Sequence, residues 1–192
     1  MQALSLSEIE SLRSLALQNA KDLLEEAELL FEHQRFARTY TLAHLSSEEL
    51  AKLPILAAHG VRLIQGKSIS WKKLDKDLTS HATKLKGLLL VDLIGTGKDP
   101  SSRNIKIHDD TLSRVQLFNT LKNTSLYSGI YQGELFRPNA VFTRKLAEQA
   151  LTVSKNRLEL FADIETLTQG RIAEIAKRET YAKLLALLGV TV

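Results

Sequence analysis

An arginine and a histidine a few positions apart can cleave RNA without a metal. The imidazole takes the proton of a ribose 2′-hydroxyl or returns one to the leaving oxygen. The guanidinium grips the phosphate in a two-pronged fork. The chain offers such a pair in Arg103-Asn104-Ile105-Lys106-Ile107-His108, and another in Arg38 and His44. Spacing alone is a weak signal, because about one Arg-x(4–6)-His match is expected by chance in a chain of this composition. Asn104 beside the arginine, and a helix expected to start just after His108, favour the first pair.

Other polar residues fall inside apolar stripes. Asn19 lies among Leu12, Ala16, Leu23, Ala27 and Leu30, and Glu49 among Leu42, Leu45, Leu53 and Leu56. His81 lies among Trp71, Leu74, Leu78, Leu85 and Leu88. A buried carboxylate or imidazole costs roughly several kcal/mol unless it finds a partner. These groups, with Glu48, Lys52, Lys84, Asn123 and Tyr127, are therefore expected to converge in a dehydrated centre as a polar network or a second pocket. Glu48 and Lys52 are i,i+4 neighbours and read as a surface pair worth a few tenths of a kcal/mol, roughly. Two readings of Glu49 stay open: a clamp to another helix through Lys52, Lys84 or Asn19, or an acid or base in a pocket. His81 and Lys84 stand one turn apart, with Glu49 able to orient the imidazole.

Several chemistries have no support. Gly95-Thr96-Gly97-Lys98 is not a phosphate-binding loop, since Asp92 stands where its first glycine belongs and Asp99 replaces the Ser or Thr. There is no H-E-x-x-H, no G-x-S-x-G and no cysteine, so zinc, nucleophile-elbow and thiolate chemistry lack their residues. No metal and no cofactor is expected.

The elements that must position these residues are helices. The first is expected over about 7–33, with Ser7 and Glu10 as a capping box, and the second from about Arg35, kinked or ended near Pro54. A third is expected over about 71–94, capped by Ser70. Residues 95–109 have loop composition, and a connection of that length is functional or mobile in a compact domain. A fourth helix starts at Asp109 or Asp110 and runs to about Tyr127. A turn-rich loop follows, then a fifth helix from about Asn139 and a last one over about 171–188. The expected fold is a single all-α domain over 1–192, an antiparallel bundle of five to six helices.

The 192 residues are 44% hydrophobic and 25% charged, ordinary values for a soluble domain. The net charge is +4 and the pI about 9.3. The sign is uneven: the first helix is acidic and residues 62–106 are basic, a face that could attract phosphates or simply be solvated. No basic n-region opens the chain and no apolar run approaches a membrane span, so a cytoplasmic protein without membrane contact is expected.

The segment LALQNAKDLLEEAELLFEHQRFARTYTLAHLSSEELAK resembles the AbiV family of abortive-infection proteins. The matching features are Asn19-Ala20, then Glu48-Glu49-Leu50-Ala51-Lys52, then His81 and Lys84. Asn123-Thr124-Ser125-Leu126-Tyr127 and Pro138 form a further block, and the likeness spans about 15–160. The resemblance implies a bacterial phage-defence protein with a HEPN-like helical fold. HEPN defence proteins are commonly ribonucleases with an Arg-x(4–6)-His motif and act as dimers. Arg103 and His108 would then act on RNA, and a phage-encoded protein would trigger the activity. The apolar residues of the last helix fit either a homodimer interface or docking on its own bundle. The competing expectation is a non-enzymatic helical module that sequesters a phage or ribosomal protein.

Overall fold

A computed structural model of the chain describes residues 4–81, 83–85, 87, 88, 107–131 and 133–177, those at 107–116, 131 and 175 by their backbone alone. It is mostly helical. Helix α1 spans Leu6–Glu32, α2 Phe36–Leu50, α3 Lys52–Ile64 and α4 Trp71–Thr79. Residues 81, 83–85, 87 and 88 are helical as well. Helix α5 is Ile107–Leu126, followed by strands β1 (Gly129–Tyr131) and β2 (Glu134–Phe136), then α6 (Pro138–Val141), α7 (Arg144–Thr168) and α8 (Ile172–Ile175).

Helix α1 starts two residues earlier than expected. Ser5, not Ser7, is the N-cap: its hydroxyl accepts from the Glu8 amide and Glu8 Oε2 accepts from the Ser5 amide at 2.7 Å. Both Ser5 and Ser7 open an S-x-x-E pattern. Ile9 is buried, and Glu10 accepts from Arg13 instead of closing a capping box. The buried line of α1 is Ile9, Arg13, Ala16, Ala20, Leu24 and Ala27. Its alanines let α2, α3 and α7 pack close. Gln34, in the left-handed region at φ 59°, turns the chain from α1 into α2.

Helices α2 and α3 meet at Ala51. Pro54 in the first turn of α3 has no amide to donate to the Leu50 carbonyl, so one long helix becomes two. From Leu53 to Val61, every residue of α3 except Pro54 is buried, which makes it the central helix. The expected third helix is divided at Ser80, whose backbone is extended (φ −69°, ψ 113°). Ser80 then caps the next stretch, accepting from the Thr83 amide at 3.2 Å and the Lys84 amide at 3.0 Å.

Residues 95–106 lie outside the described residues. The expected loop does not extend to 109, because α5 already begins at Ile107 and includes His108. The expected loop after α5 is an antiparallel hairpin pairing Gly129 with Phe136, Ile130 with Leu135 and Tyr131 with Glu134. Apolar and aromatic residues flanking Gln132-Gly133 explain it, with Gly133 at φ 85°. The expected fifth helix is split into α6 and α7, because Thr143 caps α7 by accepting from the Leu146 amide. Of the last expected helix, 172–175 are helical and 178–188 lie outside the described residues. Among the described residues no helix is long and apolar enough to cross a membrane.

Candidate functional site

Helix α2 carries His44 and Glu48 one turn apart. The stretch beginning at His81 carries His81 and Lys84, and α5 carries Phe118 and Lys122. Gly87 lets that stretch lean on the α2–α3 corner: a Cβ there would lie 3.3 Å from Pro54 Cγ and 3.4 Å from the Ala51 carbonyl oxygen. The four cationic or imidazole side chains close on Glu48. Lys84 Nζ donates to Glu48 Oε2 at 2.6 Å, while His81 Nδ1, His44 Nε2 and Lys122 Nζ reach Oε1 at 3.1, 3.2 and 3.4 Å.

Burial alone would push the Glu48 carboxyl up. The hydrogen bonds from His44 and Lys84, and the Lys84 charge, overrule it and hold the group well below the usual carboxylate range. Glu48 is therefore an ionised acceptor, and both histidines present an N–H to it. It cannot serve as a proton donor near neutral pH. The side chains of Glu48, Lys84 and Lys122 are mostly buried, whereas that of His81 is 47% exposed. His44 lies between Tyr40, with ring centroids 6.4 Å apart, and Phe118, at 6.1 Å. Burial pushes the Tyr40 hydroxyl up to about 12. His44, Glu48, His81, Lys84, Leu85, Leu88, Phe118 and Asn119 line a cleft on this face.

The expected polar centre is thus built differently. Asn19 is exposed on the outer face of α1, not in the core. Glu48, one of the residues expected in the network, is the hub, and it does not form the i,i+4 surface pair with Lys52. Glu49 instead pairs with Lys52, one turn away and outside the cluster. Asn123 is exposed, as is Tyr127, whose amide donates to the Asn123 carbonyl at 2.9 Å. Arg103 lies outside the described residues. His108 is the second residue of α5, known by its backbone alone. The Arg38–His44 pair does not act together: Arg38 donates to the Leu126 carbonyl at 3.0 Å and His44 to Glu48.

Two cluster members were not expected. His44 had a signal, its i,i+4 spacing to Glu48; Lys122 had none, since its partner comes from another helix. Two further buried polar groups stand apart from the cleft. Arg13 Nη2 meets Glu165 Oε1 at 2.5 Å and Thr168 Oγ1 at 2.8 Å, joining α1 to α7. His59 Nε2 meets Asp77 Oδ2 at 2.9 Å, joining α3 to α4. Among the described residues no group of His, Cys, Asp and Glu side chains is arranged to hold a metal ion.

The family model HEPN_AbiV, described as AbiV, matches residues 8–159, most of the chain and every member of the Glu48 cluster. The chain belongs to the AbiV family. It is an abortive-infection protein of the phage-defence class with a HEPN domain. In this AbiV protein the matched span runs from the first turns of α1 into α7, so α8 lies beyond it. No curated protein and no solved structure matches the chain.

Proposed function

We propose that this AbiV protein stops phage multiplication by cleaving RNA without a metal, and that loss of intact RNA arrests translation. Arg103 holds the scissile phosphate and His108 is the acid–base group. The 2′-oxygen, losing its proton to His108, attacks phosphorus. The 5′-oxygen leaves with the proton that His108 returns, giving a 2′,3′-cyclic phosphate and a 5′-hydroxyl with no other reactant. The observation that carries this reading is the position of His108, five residues after Arg103 and in the first turn of the twenty-residue α5. The dipole at the start of such a helix favours an anion. Membership of a HEPN family supports the same reading. On it the working form is a homodimer, and a phage-encoded protein is the trigger.

One observation favours a second, non-enzymatic reading. The cross-strand pair Ile130 and Leu135 is 72% and 87% exposed, and Tyr127 beside it is exposed too. Such a surface suits capture of a phage or ribosomal protein.

The test is incubation of purified protein with labelled tRNA and total RNA, without metal and with or without phage lysate. Cleavage by the wild type and its loss in His108→Ala and Arg103→Ala is the expected result. No cleavage under any condition removes the enzymatic reading and leaves the binding one.

A further inference from the structure

We propose that the corner between α3 and α4 docks the protein on the surface of an anionic phospholipid bilayer. Residues 62–76 carry five cationic side chains and one carboxylate, a surplus of four that equals the net charge of the whole chain. The rest of the chain is therefore balanced overall, and this corner sets the sign of the protein's field. The inference stands apart from the RNA-cleavage reading and uses none of its residues.

The fold fixes which way these charges point. Gly66, at φ 74°, turns the chain out of α3, and Ser70 caps α4 by accepting from the Lys73 amide at 3.2 Å. Ile69 and Leu74 are buried in one cluster with Ile9, Leu56 and Ile172, and Asp77 is held by His59 on α3. With Leu74 turned inward, Lys72 and Lys76 fall on the opposite side of α4, each about 160° around the axis from it. Lys67, Lys72, Lys73 and Lys76 are all exposed. Among the described residues none of their ammonium groups has a carboxylate within ion-pair distance.

Two apolar groups share the corner. Ile64, at the end of α3, is 39% exposed, and Trp71, at the start of α4, is 41% exposed. Indole settles at the headgroup level of a bilayer, and lysine stems lie along apolar surface while their ammonium groups stay in water. Lysine is a point charge without the guanidinium fork that matches a single phosphate, which suits a fluid field of headgroups. A nucleic acid offers phosphates but nothing apolar for Ile64. The expectation of no membrane contact rests on the missing apolar span, and a surface dock needs none.

Flotation of the full chain with vesicles tests this, using phosphatidylcholine alone or with about a third of phosphatidylglycerol. Trp71 is the only tryptophan, so its emission reports the corner directly. Binding to the mixed vesicles alone, with a blue shift of Trp71 emission and release by salt, is expected. A lysine beside an anionic surface is worth about fivefold in partitioning, so Lys72→Gln with Lys76→Gln should weaken binding about thirtyfold. Both positions are exposed, and an unchanged urea midpoint checks that this variant folds as the wild type does. Lys145 lies on α7 about 30 Å along the axis from Glu165, the residue that meets α1 near the corner. Arg137→Gln with Lys145→Gln therefore removes the same charge from the far end of the bundle, and should leave binding within about twofold. Equal weakening by the two pairs, no binding to the mixed vesicles, or equally tight binding to phosphatidylcholine alone overturns the proposal. Labelled tRNA held by the wild type and lost by Lys72→Gln with Lys76→Gln, with vesicles unbound, overturns it too and makes the corner a nucleic-acid surface.

Discussion

His81 Nδ1 donates to Glu48 Oε1 at 3.1 Å, although 33 positions separate them in sequence and the imidazole is half open to solvent. The bond ties α2 to the stretch that follows Ser80. Lys84 makes the same connection from deeper inside. A mostly buried carboxylate with this many donors is hard to remove without leaving charges stranded.

Glu48→Ala is therefore expected to destabilise the fold by about 2–4 kcal/mol, because Lys84 is left buried without its counter-charge. Urea unfolding at pH 7 measures it. Glu48 also sets an acid limit. Its folded pKa is depressed, so the unfolded state binds more protons as pH falls. The stability it contributes is complete above the unfolded value, near 4.3, and is lost progressively below it. The urea midpoint of the wild type should fall with pH there more steeply than that of Glu48→Gln.

His59 gives a second, earlier acid step. Burial pushes its imidazole below the ordinary value, against the pull of Asp77, with Arg62 and Lys73 adding to the depression. The folded state thus binds fewer protons than the unfolded state below about pH 6.5, and stability declines from that point downward. In His59→Gln the decline between pH 6.5 and 5 should disappear, read as urea midpoints across that range.

The Arg13–Glu165 pair makes a prediction by contrast. Glu165→Ala leaves the buried Arg13 guanidinium with Glu10 as its remaining carboxylate and should cost about 1–3 kcal/mol. Arg13→Met with Glu165→Leu fills the same space with apolar groups and should recover most of that loss. Glu10, which also contacts Arg13, is partly open to water and can be rehydrated. A double-mutant cycle in urea separates the two effects.

Gly60 is where α3 meets α8. A Cβ there would lie 2.8 Å from Ile172 Cδ1 and 3.1 Å from its Cγ2. Gly60→Ala should lose about 1–3 kcal/mol through overpacking. Ile172→Val removes the nearer methyl. The double variant should be less destabilised than the sum of the two single ones, measured by thermal unfolding.

The sequence made the helices legible and misplaced the faces by a small rotation. The stripe drawn through Leu42, Leu45 and Glu49 followed the large residues, but those leucines are only half-buried. The buried line of α2 runs through Thr39, Ala43, Ser46, Ser47 and Leu50. Small side chains bury most completely where α1 approaches closely, as when Ser46 Oγ donates to the Ala20 carbonyl at 2.7 Å. Moving from Glu49 to Glu48 is one residue, about 100° around the helix, and it decides which carboxylate enters the cluster. Asn19 was misjudged for the same reason: the contact line of α1 passes through Ala16 and Ala20. Lys122 was not legible, since nothing local on α5 marks a partner held on α2. Ser80 hid a helix break because a serine with apolar periodicity on both sides reads as continuous helix until its capping bonds are seen.

The most direct test of the central claim, that this AbiV protein defends by RNA chemistry at His108, is a plaque count. Cells expressing wild type, His108→Ala or His81→Ala at equal levels are challenged with the same phage. The account predicts that His108→Ala restores plaque numbers to those of cells lacking the protein. Full protection by His108→Ala would contradict it.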